Sequence, residues 1–275
     1  MLHTANQRAV RWLSQRNSGK MRLFCFSCAG GTVEIFRRWA HLLPPDIELC
    51  GIELPGRGSR WAEPLRTDIQ SLMDSFMPEL MLWLDKPMSL LGHSLGALVS
   101  FETARQLRRE GFEEIIDLFI ASFRGPNTHS CNQRVTILPD PQIIEWLRHL
   151  KGVPEKIMCN PSLMTTILPI LRADLGIVET YEYTPGLPFN WPISVFAGIS
   201  DPTIRRQDLG AWREHTSATF SLQMFPGGHF FLHSGEQKFL NVLSEMLIGS
   251  CERAKALSTH RKAYVSKLGS HCRDK

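Results

Sequence analysis

The sequence predicts an α/β fold, a mainly parallel sheet flanked by helices, with a helical insertion ahead of its last strands. Two observations predict it. Short apolar runs alternate with helical periodicity from Met21 to Ser122, and apolar runs resume from Ile193 to Phe225. Between Pro139 and Tyr183 that alternation stops and only helical signals remain.

Taken in order, Met21–Ser27 reads as the first strand, followed by a tight Ala29-Gly30-Gly31 loop and a helix through Phe36, Trp39 and Leu43. Glu48–Leu54 is the next strand, stopped by Pro55-Gly56. Ile69, Leu72, Met73, Phe76, Met77 and Leu80 recur at helical spacing, with Pro78 set to kink or end that helix. Met88–Leu91 is a short strand, and Leu95 to about Arg109 a helix closed by Gly111. Ile115–Ser122, Ile193–Ala197 and Phe220–Phe225 are the remaining strands. In the insertion, Asp140-Pro141 and Asn160-Pro161 each set an N-cap before a proline at the first helical position. The expected organisation is one domain over 1–275, with a polar lead-in at 1–20, a helical lid at 125–185 and a mobile basic tail at 250–275.

Charge excludes some functions. Met1–Arg22 holds five Lys/Arg and no acid, residues 250–275 hold seven against Glu252 and Asp274, and the body between them is net −6 within the chain's +4. The basicity sits in the tails, so a nucleic-acid groove across the body is not expected. No apolar run approaches the length of a membrane span, and no membrane partner is expected. Seven scattered cysteines do not form a disulfide framework. The one CxxC, Cys25 and Cys28, lacks a second pair at zinc spacing, so no metal and no cofactor is expected, and the compartment is a reducing one such as the cytoplasm.

The chemistry-bearing motif is Gly92-His93-Ser94-Leu95-Gly96, a G-x-S-x-G between an apolar strand and a helix. That is the setting of a nucleophile elbow, in which glycines keep Cβ atoms away from a strained turn and the serine hydroxyl projects at the sheet edge. A serine needs a base and the base an orienting acid, in the chain order Ser, acid, His. Asp201 follows the strand Ile193–Ala197, and His229 follows Phe220–Phe225 through Pro226-Gly227-Gly228. Ser94 as nucleophile, His229 as base and Asp201 as acid are therefore the expected triad of an α/β-hydrolase. Asp208, His215 and His233 are the nearest rivals. The oxyanion formed on attack needs backbone donors, worth about 3–4 kcal/mol each. Leu95 and Ala29 are the expected pair, the latter because its small neighbours permit close approach.

The segment Leu23-Phe24-Cys25-Phe26-Ser27-Cys28-Ala29-Gly30-Gly31, with Phe36-Arg37-Arg38-Trp39 after it, resembles the opening of the type II thioesterases that serve polyketide and nonribosomal peptide synthases. The likeness continues through Leu54-Pro55-Gly56-Arg57, the Gly92–Ala97 motif, Leu171-Arg172-Ala173-Asp174 and Gly227-Gly228-His229-Phe230-Phe231, over about residues 21–248. Two departures stand out. Most members carry Pro-His where this chain has Ser27-Cys28, which touches the oxyanion loop, and Gly-Arg-Arg near Phe123-Arg124-Gly125. The resemblance implies a free-standing editing enzyme that hydrolyses stalled or aberrant acyl groups from the phosphopantetheine arm of acyl or peptidyl carrier proteins. The residues alone also admit a carboxylesterase or lipase, and a non-catalytic hydrolase-like binding protein. A macrocyclising synthase-terminal domain is a further rival, but here the first strand begins close to residue 1.

Overall fold

The computed structural model describes residues 8–15, 19–112, 114–128 and 134–271, with side chains to residue 256. Seven strands form one sheet: β1 Val10–Trp12, β2 Met21–Phe26, β3 Ile47–Ile52, β4 Met88–His93, β5 Ile115–Ala121, β6 Ile193–Gly198 and β7 Phe220–Phe225. Their spatial order is β1-β3-β2-β4-β5-β6-β7, parallel throughout except for β1 against β3. The helices are α1 Ile69–Asp74, α2 Met77–Leu80, α3 Leu95–Arg109, α4 Asp140–Leu150, α5 Glu155–Met158, α6 Pro161–Thr180, α7 Arg206–Gly210, α8 Phe231–Ser234 and α9 Glu236–His271.

The sheet is covered on both faces, which is why its central strands are apolar without alternation. Phe24, Phe26, Leu90, Leu118, Ile120, Val195 and Ala197 face one core with α1, α2 and α3. Their neighbours Leu23, Cys25, Leu91, Phe119 and Phe196 face a second core, closed by Phe36, Trp39 and α9. A third, smaller cluster of Val135, Ile143, Leu147, Met158, Met164, Leu168 and Leu171 belongs to the insertion, whose α4 and α6 pack together above the sheet. By length and composition α6 is apolar enough to cross a membrane. About a third of that span is buried inside the protein, with Met164, Leu168, Leu171 and Ile177 packed inward.

Three expectations are corrected. The lead-in is not merely polar chain: Val10-Arg11-Trp12 pairs with Ile52-Gly51-Cys50 as an edge strand, and Trp12 packs against Trp83 and the buried Arg22. Three residues among basic ones carry no periodicity, so the strand exists through its partner. The helix after Gly31 is a 3-10 helix over Val33–His41. The tail does not begin at 250. α9 continues, with Ser250, Cys251 and Ala254 buried. Ser250 Oγ (2.5 Å) and Arg253 (2.7 Å) both hydrogen-bond the buried Asp117 carboxylate of β5, which otherwise has no business in an apolar strand. Burial pushes the Asp117 carboxyl upward against the pull of these two donors. Residues 1–7 and 16–18 of the lead-in, 129–133 of the lid and 272–275 of the tail lie outside the described residues.

A chain ending after residue 256 is expected to melt within about 2 °C of the full chain. One ending after residue 249 strips Asp117 of both donors and is expected to melt about 5–10 °C lower, measured by calorimetry.

Candidate active site

The turn from β4 into α3 puts Ser94 at φ 55°, ψ −120°, a conformation that costs a non-glycine residue about 1–3 kcal/mol. It persists because three backbones meet there. A Cβ on Gly92 would stand 2.1 Å from the Gly96 carbonyl oxygen, and one on Gly96 would stand 2.1 Å from that of Phe26. The Ser94 N–H donates to the Ala121 carbonyl at 2.8 Å, tying the elbow to the end of β5.

The two other expected residues arrive from adjacent strand ends. A Cβ on Gly198 would meet the Gly228 carbonyl at 2.1 Å, so the loops after β6 and β7 run in contact. The Ser200 N–H donates to the Gly227 carbonyl at 2.9 Å. His229 then lies with Nε2 3.0 Å from Ser94 Oγ and Nδ1 2.9 Å from Asp201 Oδ2. The Asp201 side chain is 1% exposed and that of His229 8%. Burial raises the Asp201 carboxyl, but hydrogen bonds from His229 and Thr203 outweigh it and hold the group below its ordinary value. It is an ionised acceptor for the imidazole.

Three supporting residues escaped the sequence reading. Thr203 donates from its N–H (2.9 Å) and hydroxyl (2.7 Å) to Asp201 Oδ1, fixing the carboxylate. Its local signal is a threonine two residues after an aspartate, the spacing of an Asx turn. His93 and Ser122 both reach the His229 carbonyl, at 2.9 and 3.0 Å. Burial pushes His93 down to about 3, so it is neutral, and with a carbonyl as partner its Nε2 carries the proton. The rivals are engaged elsewhere. Asp208 pairs with Arg205, His215 packs among Phe101, Trp212 and Tyr183, and His233 stacks on Phe230.

Ala29, Ser94, Leu95 and His229 line one cavity of about 370 Å³. The Leu95 N–H opens α3 and is one of its first-turn donors. Ala29 sits in a turn closed by the Gly31 N–H donating to the Cys28 carbonyl at 2.9 Å. The roof is Trp146, His149, Leu150, Leu175, Val178 and Glu179 of the insertion. Glu179 is an acidic member of this roof, its carboxylate accepting from the Val135 and Thr136 N–H groups and the Thr136 hydroxyl.

A mainly parallel sheet in this strand order, with a serine elbow, a carboxylate and a histidine at the carboxyl ends of β4, β6 and β7, has the architecture of the α/β-hydrolases. The family model described as Thioesterase domain matches residues 21–248, and the chain belongs to that family of thioester-cleaving serine hydrolases. It is 38% identical over 240 residues to the gramicidin S biosynthesis protein GrsT of Aneurinibacillus migulanus, covering 86% of this chain and 94% of that one. Among solved structures, the type II thioesterase BorB from the borrelidin biosynthetic cluster superposes with a TM-score of 0.79 at 30% identity, over 88% of this chain and 99% of BorB. RedJ, a thioesterase of the prodiginine pathway of Streptomyces coelicolor, gives 0.79 at 32%, over 83% and 91%. BorB and YbtT, the latter from the yersiniabactin pathway, are type II thioesterases, the kind of enzyme that the sequence motifs resemble.

Asp201→Asn is expected to leave the protein folded and lower kcat by about 10⁴, because the amide favours the wrong imidazole tautomer. Thr203→Val is expected to cost about 5–10-fold in kcat, the worth of one hydroxyl hydrogen bond. Asp208→Asn should stay within twofold of the parent. Steady-state kinetics on a p-nitrophenyl ester separates the three.

Proposed function

We propose that this enzyme hydrolyses acyl or aminoacyl thioesters from the phosphopantetheine arm of carrier proteins, with Ser94 as nucleophile, His229 as general base and acid, and Asp201 as the orienting acid. The observation that carries this reading is the Ser94–His229–Asp201 hydrogen-bond chain opening into a roofed, largely apolar cavity. His229 Nε2 takes the Ser94 proton as Oγ attacks the thioester carbonyl. The oxyanion is met by the N–H groups of Leu95 and Ala29. As the C–S bond breaks, the pantetheine thiolate takes the proton from His229 and leaves as the thiol. A water molecule then gives its proton to His229 and attacks the acyl-serine, releasing the carboxylic acid and restoring Ser94.

The helices of residues 125–185 act as the lid of this site. Phe123, Leu175, Val178 and Ile204 surround the acyl group, and the volume suits a short chain better than a finished product. A wider cavity of about 980 Å³ reaches His229 from the side of Lys151–Pro154 and shares His149, Leu150 and Pro202 with the first. It is the route for the pantetheine arm. The role is that of an editing enzyme, which clears stalled groups from a synthase making a polyketide or peptide antibiotic. Five free cysteines among the described residues, four of them buried, fit a cytoplasmic setting.

The test compares kcat/KM for one acetyl or propionyl group carried on a carrier protein, on coenzyme A and on a p-nitrophenyl ester. The carrier thioester is expected to be preferred, chiefly through a lower KM, and propionyl to be released faster than a long or peptidyl chain. If the simple ester is cleaved as well as the carrier thioester, the protein is a carboxylesterase in practice and the editing reading fails.

A further inference from the structure

Two of the segments that resemble the thioesterase family, Leu54-Pro55-Gly56-Arg57 and Leu171-Arg172-Ala173-Asp174, contribute nothing to the triad. The fold joins them below the roof of the cavity. Arg57, 4% exposed, makes a two-pronged ion pair with Asp174, 1% exposed, one prong at 2.7 Å. Arg57 also donates to the Pro55 carbonyl, which sets its guanidinium before Asp174 arrives. A buried ion pair is seldom the most stabilising use of such a position, since desolvating both charges offsets their attraction.

The remaining bond shows where the pair acts. Asp174 Oδ2 accepts the Gly30 N–H at 2.7 Å. Gly30 has φ +72° and is the third residue of the turn whose first is Cys28 and whose last is Gly31. With a left-handed residue at that position alone, the central peptide is turned over relative to the commoner turn, and a fixed acceptor on its N–H holds it there. Leu171, one helical turn before Asp174, closes the other side: a Cβ on Gly30 would stand 2.9 Å from its Cδ2. Asp174 and Leu171 thus bear on the residue that follows Ala29.

We propose that Asp174 and Arg57 are positioning residues for the oxyanion loop: Asp174 locks the Ala29–Gly30 peptide, and thereby the turn from which the N–H of the preceding peptide, that of Ala29, is presented to the cavity above Ser94. Arg57 does two things. It orients the carboxylate, and it cancels a negative charge that would otherwise oppose the oxyanion forming nearby. α6 is in consequence part of the catalytic apparatus and not only a cover. This rests on the assignment of Ala29 as an oxyanion donor, and not on the identity of the natural thioester.

The test compares two double variants, each of which removes both buried charges. Arg57→Gln/Asp174→Asn keeps a side-chain carbonyl that can accept the Gly30 N–H, whereas Arg57→Met/Asp174→Leu keeps the packing without an acceptor. On p-nitrophenyl acetate the Met/Leu protein is expected to lose about 10–100-fold in kcat with KM within threefold. It should lose affinity for an alkyl boronic acid, whose hydroxyl occupies the oxyanion site, in the same proportion. The Gln/Asn protein should stay within about threefold on both measures. A thioether analogue of the substrate, which forms no oxyanion, should bind all three proteins alike. Equal kcat in the two doubles overturns the proposal, as does a loss mirrored in thioether binding. A preference for simple esters over carrier thioesters leaves it intact and counts only against the editing function.

Discussion

The strained turn at Ser94 is affordable only where three backbones can lie closer than any side chain would allow. Gly92 lets the end of β4 pass the first turn of α3, and Gly96 lets that turn rest on the end of β2. β4 stands between β2 and β5, so the elbow inherits the position of the most deeply covered strands in the sheet. Its own N–H is spent on the Ala121 carbonyl, and the residue before it, His93, reaches across to the His229 carbonyl. The nucleophile and the base are therefore located by the same turn. A change that relaxed Ser94 into an ordinary conformation would also withdraw the support of the histidine.

Around that turn the titratable groups are held in unlike states by unlike surroundings. His93 is neutral because it is fully buried beside His229. Asp201 is almost as inaccessible, yet ionised, because His229 and Thr203 donate to it. Farther from the reacting atoms, Arg57 and Asp174 form a buried ion pair. His93 and Asp201 thus each have a local reason for their protonation state, as preorganised sites require.

What could be read from the sequence was what is local. The elbow, the strand ends bearing Asp201 and His229, and the Asn160-capped start of α6 each declare themselves within a few residues, and α3 runs over Leu95–Arg109 as its periodicity indicates, whereas α4 begins at Asp140 itself, with Pro139 at the cap position and no side-chain cap. Contacts between distant segments left no such trace. β1 is three residues long and extended because β3 is beside it. Ser250 and Arg253 looked like the start of a basic tail because Asp117, their partner, lies 133 and 136 residues away. The family-like segments around Arg57 and Asp174 were visible as motifs, but their bond spans 117 residues, so their joint action on Gly30 emerged only in the folded chain. The exchange of Pro-His for Ser27-Cys28 is accommodated locally, with the Ser27 hydroxyl donating to the Gly31 carbonyl at 3.1 Å.

In the proposed mechanism the acyl group passes through an ester on Ser94. Rapid acid quenching of the enzyme during turnover of a propionyl carrier protein, followed by intact mass measurement and peptide mapping, tests it directly. A single propionyl adduct on the peptide containing Ser94, absent from Ser94→Ala, is the predicted result. An adduct on another residue, or turnover that persists in Ser94→Ala, would contradict it.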